Sequence, residues 1–96
     1  MPTNAHMSII SGVRKVAVSS IRPNPQQPRK TFPPEGIREL ARTIDEHGLL
    51  QPILVRRIRG DERYELVAGE RRLRAIKTLK WKTIPALIIP AGALDD

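Results

Sequence analysis

Between Pro34 and Gly48, apolar side chains fall at Ile37, Leu40, Ala41 and Ile44, the i, i+3, i+4, i+7 spacing that lines one face of a helix. Pro34 suits a first turn, Glu35 complements the positive helix start, and Gly48 is placed for a left-handed cap. The pattern predicts a helix from about Pro34 to His47. A second stripe, Leu73, Ile76 and Leu79, predicts another from Glu70 to about Leu79. Elsewhere the apolar residues are β-branched and the runs are short. VRKVAV (Val13 to Val18) reads as a first strand, Ile53 to Arg59 and Arg63 to Ala68 as two more, and KTIPALII as a last one. The turn signal RGDE joins the middle pair into a hairpin, and Pro85 argues that the last strand lies at an edge or is met near its start. The order strand, helix, two strands, helix, strand is that of a small α+β domain.

Between the first strand and the first helix lies SSIRPNPQQPRKTFPP, where Pro23, Pro25, Pro28, Pro33 and Pro34 fix φ and push their predecessors toward extended conformations. Such a segment cannot be helical, and a stiff ordered loop is expected in preference to a plain proline linker. Residues 1–12 show no periodicity and hold a second methionine at Met7, so they read as a leader; residues 13–90 form the domain and residues 91–96 a tail. No internal repeat or low-complexity tract interrupts this order.

A chain of 96 residues makes about one domain, and with one Phe, one Tyr and one Trp its core must be aliphatic. The absence of cysteine excludes disulfides, thiolate zinc sites and thiol chemistry, and favours an intracellular setting. No apolar run approaches the roughly 20 residues of a membrane span. A net charge of +7 favours polyanionic partners, nucleic acid or nucleotides, although a merely solvated basic surface would give the same sum. The distribution narrows this, because ten basic residues lie between Arg56 and Lys82. His47, in the last turn of its helix, suits the helix dipole better than catalysis, and His6 lies in the leader.

The densest basic stretch is VAGERRLRA, Val67 to Ala75, where a strand ends, Gly69 makes a turn and a helix starts. Backbone N–H groups of a first helical turn lack intrahelical partners, and the dipole adds positive charge there. Placing Arg71, Arg72 and Arg74 at that end disfavours the helix, so a compensating anion is expected. A phosphate held by free amides and guanidinium forks, with Gly69 allowing close backbone approach, meets the requirement. At 100° per residue Arg71 and Arg74 share one side, while Arg72 points elsewhere and reaches past the strand end. Glu70 and Arg74 stand at i, i+4, where a simple surface ion pair is the competing explanation.

VAGERRLRA, IRPNPQQPRKTF and HGLLQPILVR together resemble the N-terminal domain of ParB-type chromosome and plasmid partition proteins, over roughly Val16 to Ile89. The resemblance implies a small mixed β-sheet with two main helices, a fold shared with sulfiredoxin. It implies a CTP site with Mg2+ in which Gly69, Glu70, Arg71, Arg72 and Arg74 wrap the phosphates. Gln27, Pro28 and Arg29 match the family's proline-rich box, and Gly48, Gln51 and Pro52 its next turn. In such proteins nucleotide binding lets two N-terminal domains associate and close a clamp on DNA, and slow CTP hydrolysis resets it; a nucleoid-associated, cytoplasmic setting follows. The family's ENxxR motif, its DNA-reading helix-turn-helix and its dimerisation domain find no match in this sequence. Its leucine- and glycine-rich peptide for the ParA-type ATPase finds none in MPTNAHMSIISGVRK. No catalytic residue and no metal ligand is assigned.

Other classes make different demands. A sulfiredoxin-like reductase needs a cysteine, which is lacking. A small-molecule kinase of the same fold would need a general base, for which Glu70 or Glu65 could be offered. A nuclease needs clustered carboxylates, whereas Asp45, Glu46, Asp61 and Glu62 belong to a helix end and a turn. The principal alternative is a nucleotide-independent, non-specific nucleic-acid-binding module using the arginines with Lys77, Lys80 and Lys82. Trp81 could stack on a base there, but an anchor packed behind the second helix is the simpler role.

Overall fold

The computed structural model describes residues 12–23 and 32–92. The elements run β1 (Arg14–Ala17), a 3-10 turn (Val18–Ser20), β2 (Ile21–Arg22), α1 (Pro34–His47), β3 (Ile53–Arg57), β4 (Tyr64–Ala68), α2 (Glu70–Thr78) and β5 (Thr83–Ile89). Both expected helices and all four expected strands are present. The addition is β2, inside the segment read as loop.

The strands form one mixed five-stranded sheet in the order β1-β5-β3-β4-β2. β3 and β4 make the expected antiparallel hairpin, β1 pairs antiparallel with β5, and the β3–β5 and β4–β2 pairs are parallel. Alternation along the strands sends Ile53, Val55, Leu66, Ile84, Ala86 and Ile88 to one face, where Ile37, Ala41 and Ile44 of α1 and Leu73, Ala75 and Ile76 of α2 meet them. Ile53, Val55, Ile76 and Ile84 are fully buried, each contributing about 1.5 to 3 kcal/mol of apolar transfer. The core is aliphatic, as composition requires. Leu79 and Trp81 pack against it as partly buried residues, which gives Trp81 the anchoring role.

Three details depart from the sequence reading. Of the two alternatives for Pro85, an edge position is excluded because β5 lies between β1 and β3, while the other holds: Pro85 is the third residue of β5, near its start. The Val18 amide donates to the Lys82 carbonyl at 2.9 Å, so by alternation the backbone of Pro85 faces away from β1, toward a side where β3 pairing starts only at Ala86. The missing N–H is not needed there. Gly48 ends α1 with positive φ, as expected, but at φ 83° and ψ 169° it is extended and not in the left-handed helical cap; its N–H donates to the Ile44 carbonyl at 2.7 Å. β2 escaped notice because two residues carry no period, and its pairing of Ile21 with Tyr64 is remote in sequence. The hairpin turn holds Gly60 at φ 77°, and the Asp61 carboxylate accepts from the Arg63 amide at 2.8 Å.

Candidate functional site

Only Gly69 separates the end of β4 from the start of α2. Its φ of 109° and ψ of 29° are left-handed. A Cβ at this position would sit 2.7 Å from Ile53 Cγ2, so both the turn and the packing demand glycine. The Gly69 carbonyl accepts the first helical bond from the Leu73 amide at 2.9 Å, and no side chain caps α2. The amides of its first turn are therefore left for solvent or a ligand.

A pocket of about 650 Å³ opens beside this helix start. Gly69, Glu70, Arg71 and Arg72 line one side, and Gly48 and Gln51 line the turn ahead of β3. Phe32, Leu40 and Ile44, with Leu49 and Leu50, make an apolar wall. Arg72 crosses to that turn, donating from Nη1 to Gln51 Oε1 at 2.7 Å, while its Nε is buried with no hydrogen-bond partner among the described residues. Arg71 leans the other way: its Nη2 is 3.5 Å from the position of a Cβ on Gly36, in the first turn of α1. That helix also lacks a side-chain cap. Two uncapped helix starts and two arginines thus share one corner, and their fields add.

Arg74 does not line the pocket. Its Nε donates to Glu70 Oε2 at 3.0 Å, and its guanidinium lies 4.8 Å from the centre of the Phe32 ring. The i, i+4 ion pair is therefore formed, and it places Arg74 behind Glu70 as a brace for the acid and for Phe32. Pro52 stands next to β3, outside the lining. Gln27, Pro28 and Arg29 lie outside the described residues. The apolar wall has no functional signal in sequence: Leu40 and Ile44 belong to the apolar stripe of α1, and the 80% exposure of Leu50 is visible only in the fold.

Among the described residues no group of three His, Cys, Asp or Glu side chains could hold a metal ion. Among the described residues Glu70 is the one carboxylate lining this pocket, and Arg74 engages it. No described helix is long and apolar enough to cross a membrane.

A mixed sheet with two helices delivers arginines and free amides to one apolar-walled pocket, an arrangement suited to an anionic group carried on an organic ligand. The family model for the ParB N-terminal domain matches residues 3–93, and the chain belongs to that family. It is 48% identical over 83 residues to the nucleoid occlusion protein of Bacillus pumilus, covering 86% of this chain and 28% of that protein. It is 51% identical over 77 residues to the probable chromosome-partitioning protein ParB of Helicobacter pylori, covering 80% of this chain and 26% of that protein. The chain thus spans little more than a quarter of these relatives. Among solved structures, C-terminally truncated ParB from Caulobacter crescentus with CTP-gamma-S superimposes with a TM-score of 0.76 at 40% identity, over 88% of this chain and 47% of that one. The same protein complexed to the centromeric parS site gives 0.73 at 42% identity, over 86% of this chain and 42% of that one. Sulfiredoxin from Arabidopsis thaliana gives 0.73 at 25% identity, over 84% of this chain and 88% of that one, in agreement with the expected common fold.

Proposed function

We propose that this domain binds CTP in the pocket beside Gly69, with the triphosphate at the start of α2 and the nucleoside along the Phe32–Leu50 side. In the longer protein, binding would switch the association of two such domains and thereby a clamp on DNA, with slow hydrolysis resetting it. One observation carries the reading. Arg72 is held at an uncapped helix start with a buried Nε that has no partner among the described residues, a donor whose desolvation an accepting anion would compensate. The solved relative complexed with CTP-gamma-S and the one complexed with parS support the choice of ligand and of DNA as the wider context.

Gly48, Gln51, Gly69, Glu70, Arg71 and Arg72 are the proposed contacts among the described residues, with Arg74 and Pro52 behind them and Gln27 and Arg29 as expected additions. Among the described residues no cluster of carboxylates builds a Mg2+ site, so Mg2+ is expected to arrive on the phosphates, and no step is assigned to it.

Calorimetric titration of the chain with CTP, ATP, GTP and UTP, with Mg2+ present, tests the proposal. CTP should bind tightest, and Arg72→Ala should weaken it at least about tenfold, or ~1.4 kcal/mol. Equal binding of all four nucleotides, or full affinity in Arg72→Ala, refutes it.

A further inference from the structure

On the opposite face of the sheet, three charged residues stand in one row across three strands. Arg22 of β2 is the register partner of Glu65 in β4, and Glu65 that of Arg56 in β3. Alternation turns all three away from Val55 and Leu66, which face the helices. Glu65 is nearly buried, its side chain 7% exposed. Arg56 donates from Nε to Glu65 Oε1 at 2.9 Å and contacts it through Nη2 at 2.9 Å, while Arg22 Nη2 stands 3.8 Å from Oε2.

The row is the floor of a groove of about 170 Å³, whose walls include Arg59; Arg57 borders it but turns its guanidinium over the Tyr64 ring, 5.4 Å from the centroid. Among the described residues Arg22, Arg56 and Arg59 line it together with one carboxylate, Glu65. An ion pair alone does not account for this. One arginine would neutralise Glu65, and the Arg22 Nε is a buried donor with no partner among the described residues. Glu65 acts as a staple that fixes two guanidinium groups side by side, which lowers the entropy lost when both meet a ligand.

We infer that this groove is a second anion site, separate from the pocket beside Gly69, and that it grips the phosphodiester backbone of duplex DNA. The choice of DNA rests on the DNA-bound context proposed above; the choice of a phosphate chemistry rests on the groove. Guanidinium pairs favour phosphate oxygens, and a groove without base-reading depth predicts contact independent of sequence. The two faces of the sheet then divide the work, nucleotide on one and duplex on the other.

The test is fluorescence anisotropy of a labelled short duplex of arbitrary sequence with the 96-residue chain, at low and at high salt. Wild type should bind in the weak range of non-specific contacts. Arg59→Gln, at an exposed position, should weaken binding about two- to threefold, and Arg22→Gln with Arg59→Gln about five- to tenfold, each lost contact lowering the salt slope by about 0.9. CTP titration of the same variants should be unchanged. Arg72→Ala should show the reverse pattern, so failure of the groove and failure of the nucleotide site are read separately. Circular dichroism of Arg59→Gln and of the double variant checks the fold. Duplex affinity undiminished in a folded double variant, or in Arg59→Gln if the double variant unfolds, overturns the assignment. So does absence of wild-type binding at low salt, or equal loss in Arg72→Ala. Tighter binding of an RNA duplex than of DNA would give the groove to RNA instead.

Discussion

Replacing Gly69 by alanine puts two costs on one methyl group. At φ 109° an L side chain is strained by about 1 to 2 kcal/mol. The added carbon would also lie 2.7 Å from Ile53 Cγ2, 3.1 Å from Ile53 Cβ and 3.3 Å from Arg72 Nη2. Arg72 can move, but Ile53 is fully buried and its displacement disturbs the core, an overpacking cost of about 1 to 3 kcal/mol. Gly69→Ala should therefore lose about 2 to 5 kcal/mol, a large part of the ~5 to 15 kcal/mol that stabilises a typical domain. Gly60→Ala provides the reference. That glycine also has positive φ, 77°, but a Cβ there meets nothing within 4 Å, so only the backbone cost of about 1 to 2 kcal/mol applies. Urea titrations of the three proteins, compared at constant m, give the difference directly. The steric part should lower the melting temperature of Gly69→Ala by at least about 4 °C beyond that of Gly60→Ala. Equal losses, within about 0.5 kcal/mol, would show that Ile53 does not hold the turn and would undo the account of why glycine occupies it.

Other substitutions test separate parts of the structure. The Asp61 carboxyl is held at about 2, below its ordinary 3.8, chiefly by the hydrogen bond from the Arg63 side chain and then by that from its backbone amide. Because the folded value is depressed, this contribution to stability is complete above pH 3.8 and is lost as the pH falls toward about 2, so Asp61→Asn should flatten the stability curve in that window. An unchanged slope, followed by urea midpoints against pH, would count against the turn geometry. Ile76→Ala, in the fully buried core, should cost about 2 to 5 kcal/mol by chemical denaturation. Leu50→Ser, on the exposed pocket wall, should stay within about 0.5 kcal/mol of wild type; a loss as large as that of Ile76→Ala would make Leu50 a core residue after all.

The helices were legible because each repeats one apolar face often enough to show a period: Ile37, Ala41 and Ile44 are the buried face of α1, and Leu73 and Ile76 lie within that of α2. The hairpin was legible through RGDE. β2 was not, since its register depends on Tyr64 and Glu65, more than forty residues downstream. Pro85 pointed correctly to a strand start but could not tell that from an edge, because the side of a strand that needs its amide depends on where the neighbour begins. At the candidate site, sequence pointed to the arginines and to the need for an anion. It could not distinguish Arg72, which crosses to Gln51 and keeps a buried donor, from Arg74, which turns to Glu70 and Phe32. Those destinations are fixed by packing between elements distant along the chain. The Glu65 row was equally hidden, since three residues from three strands become neighbours only when the sheet forms.

The single-residue link between β4 and α2 leaves that side of the pocket without slack. The helix start is continuous with an interior strand, β4, and wedged against Ile53 of the central strand, so it can shift only if the sheet shifts with it. Whatever closes around a guest must therefore come from the far bank, α1 and the stretch from Gly48 to Gln51, moving toward a fixed anvil.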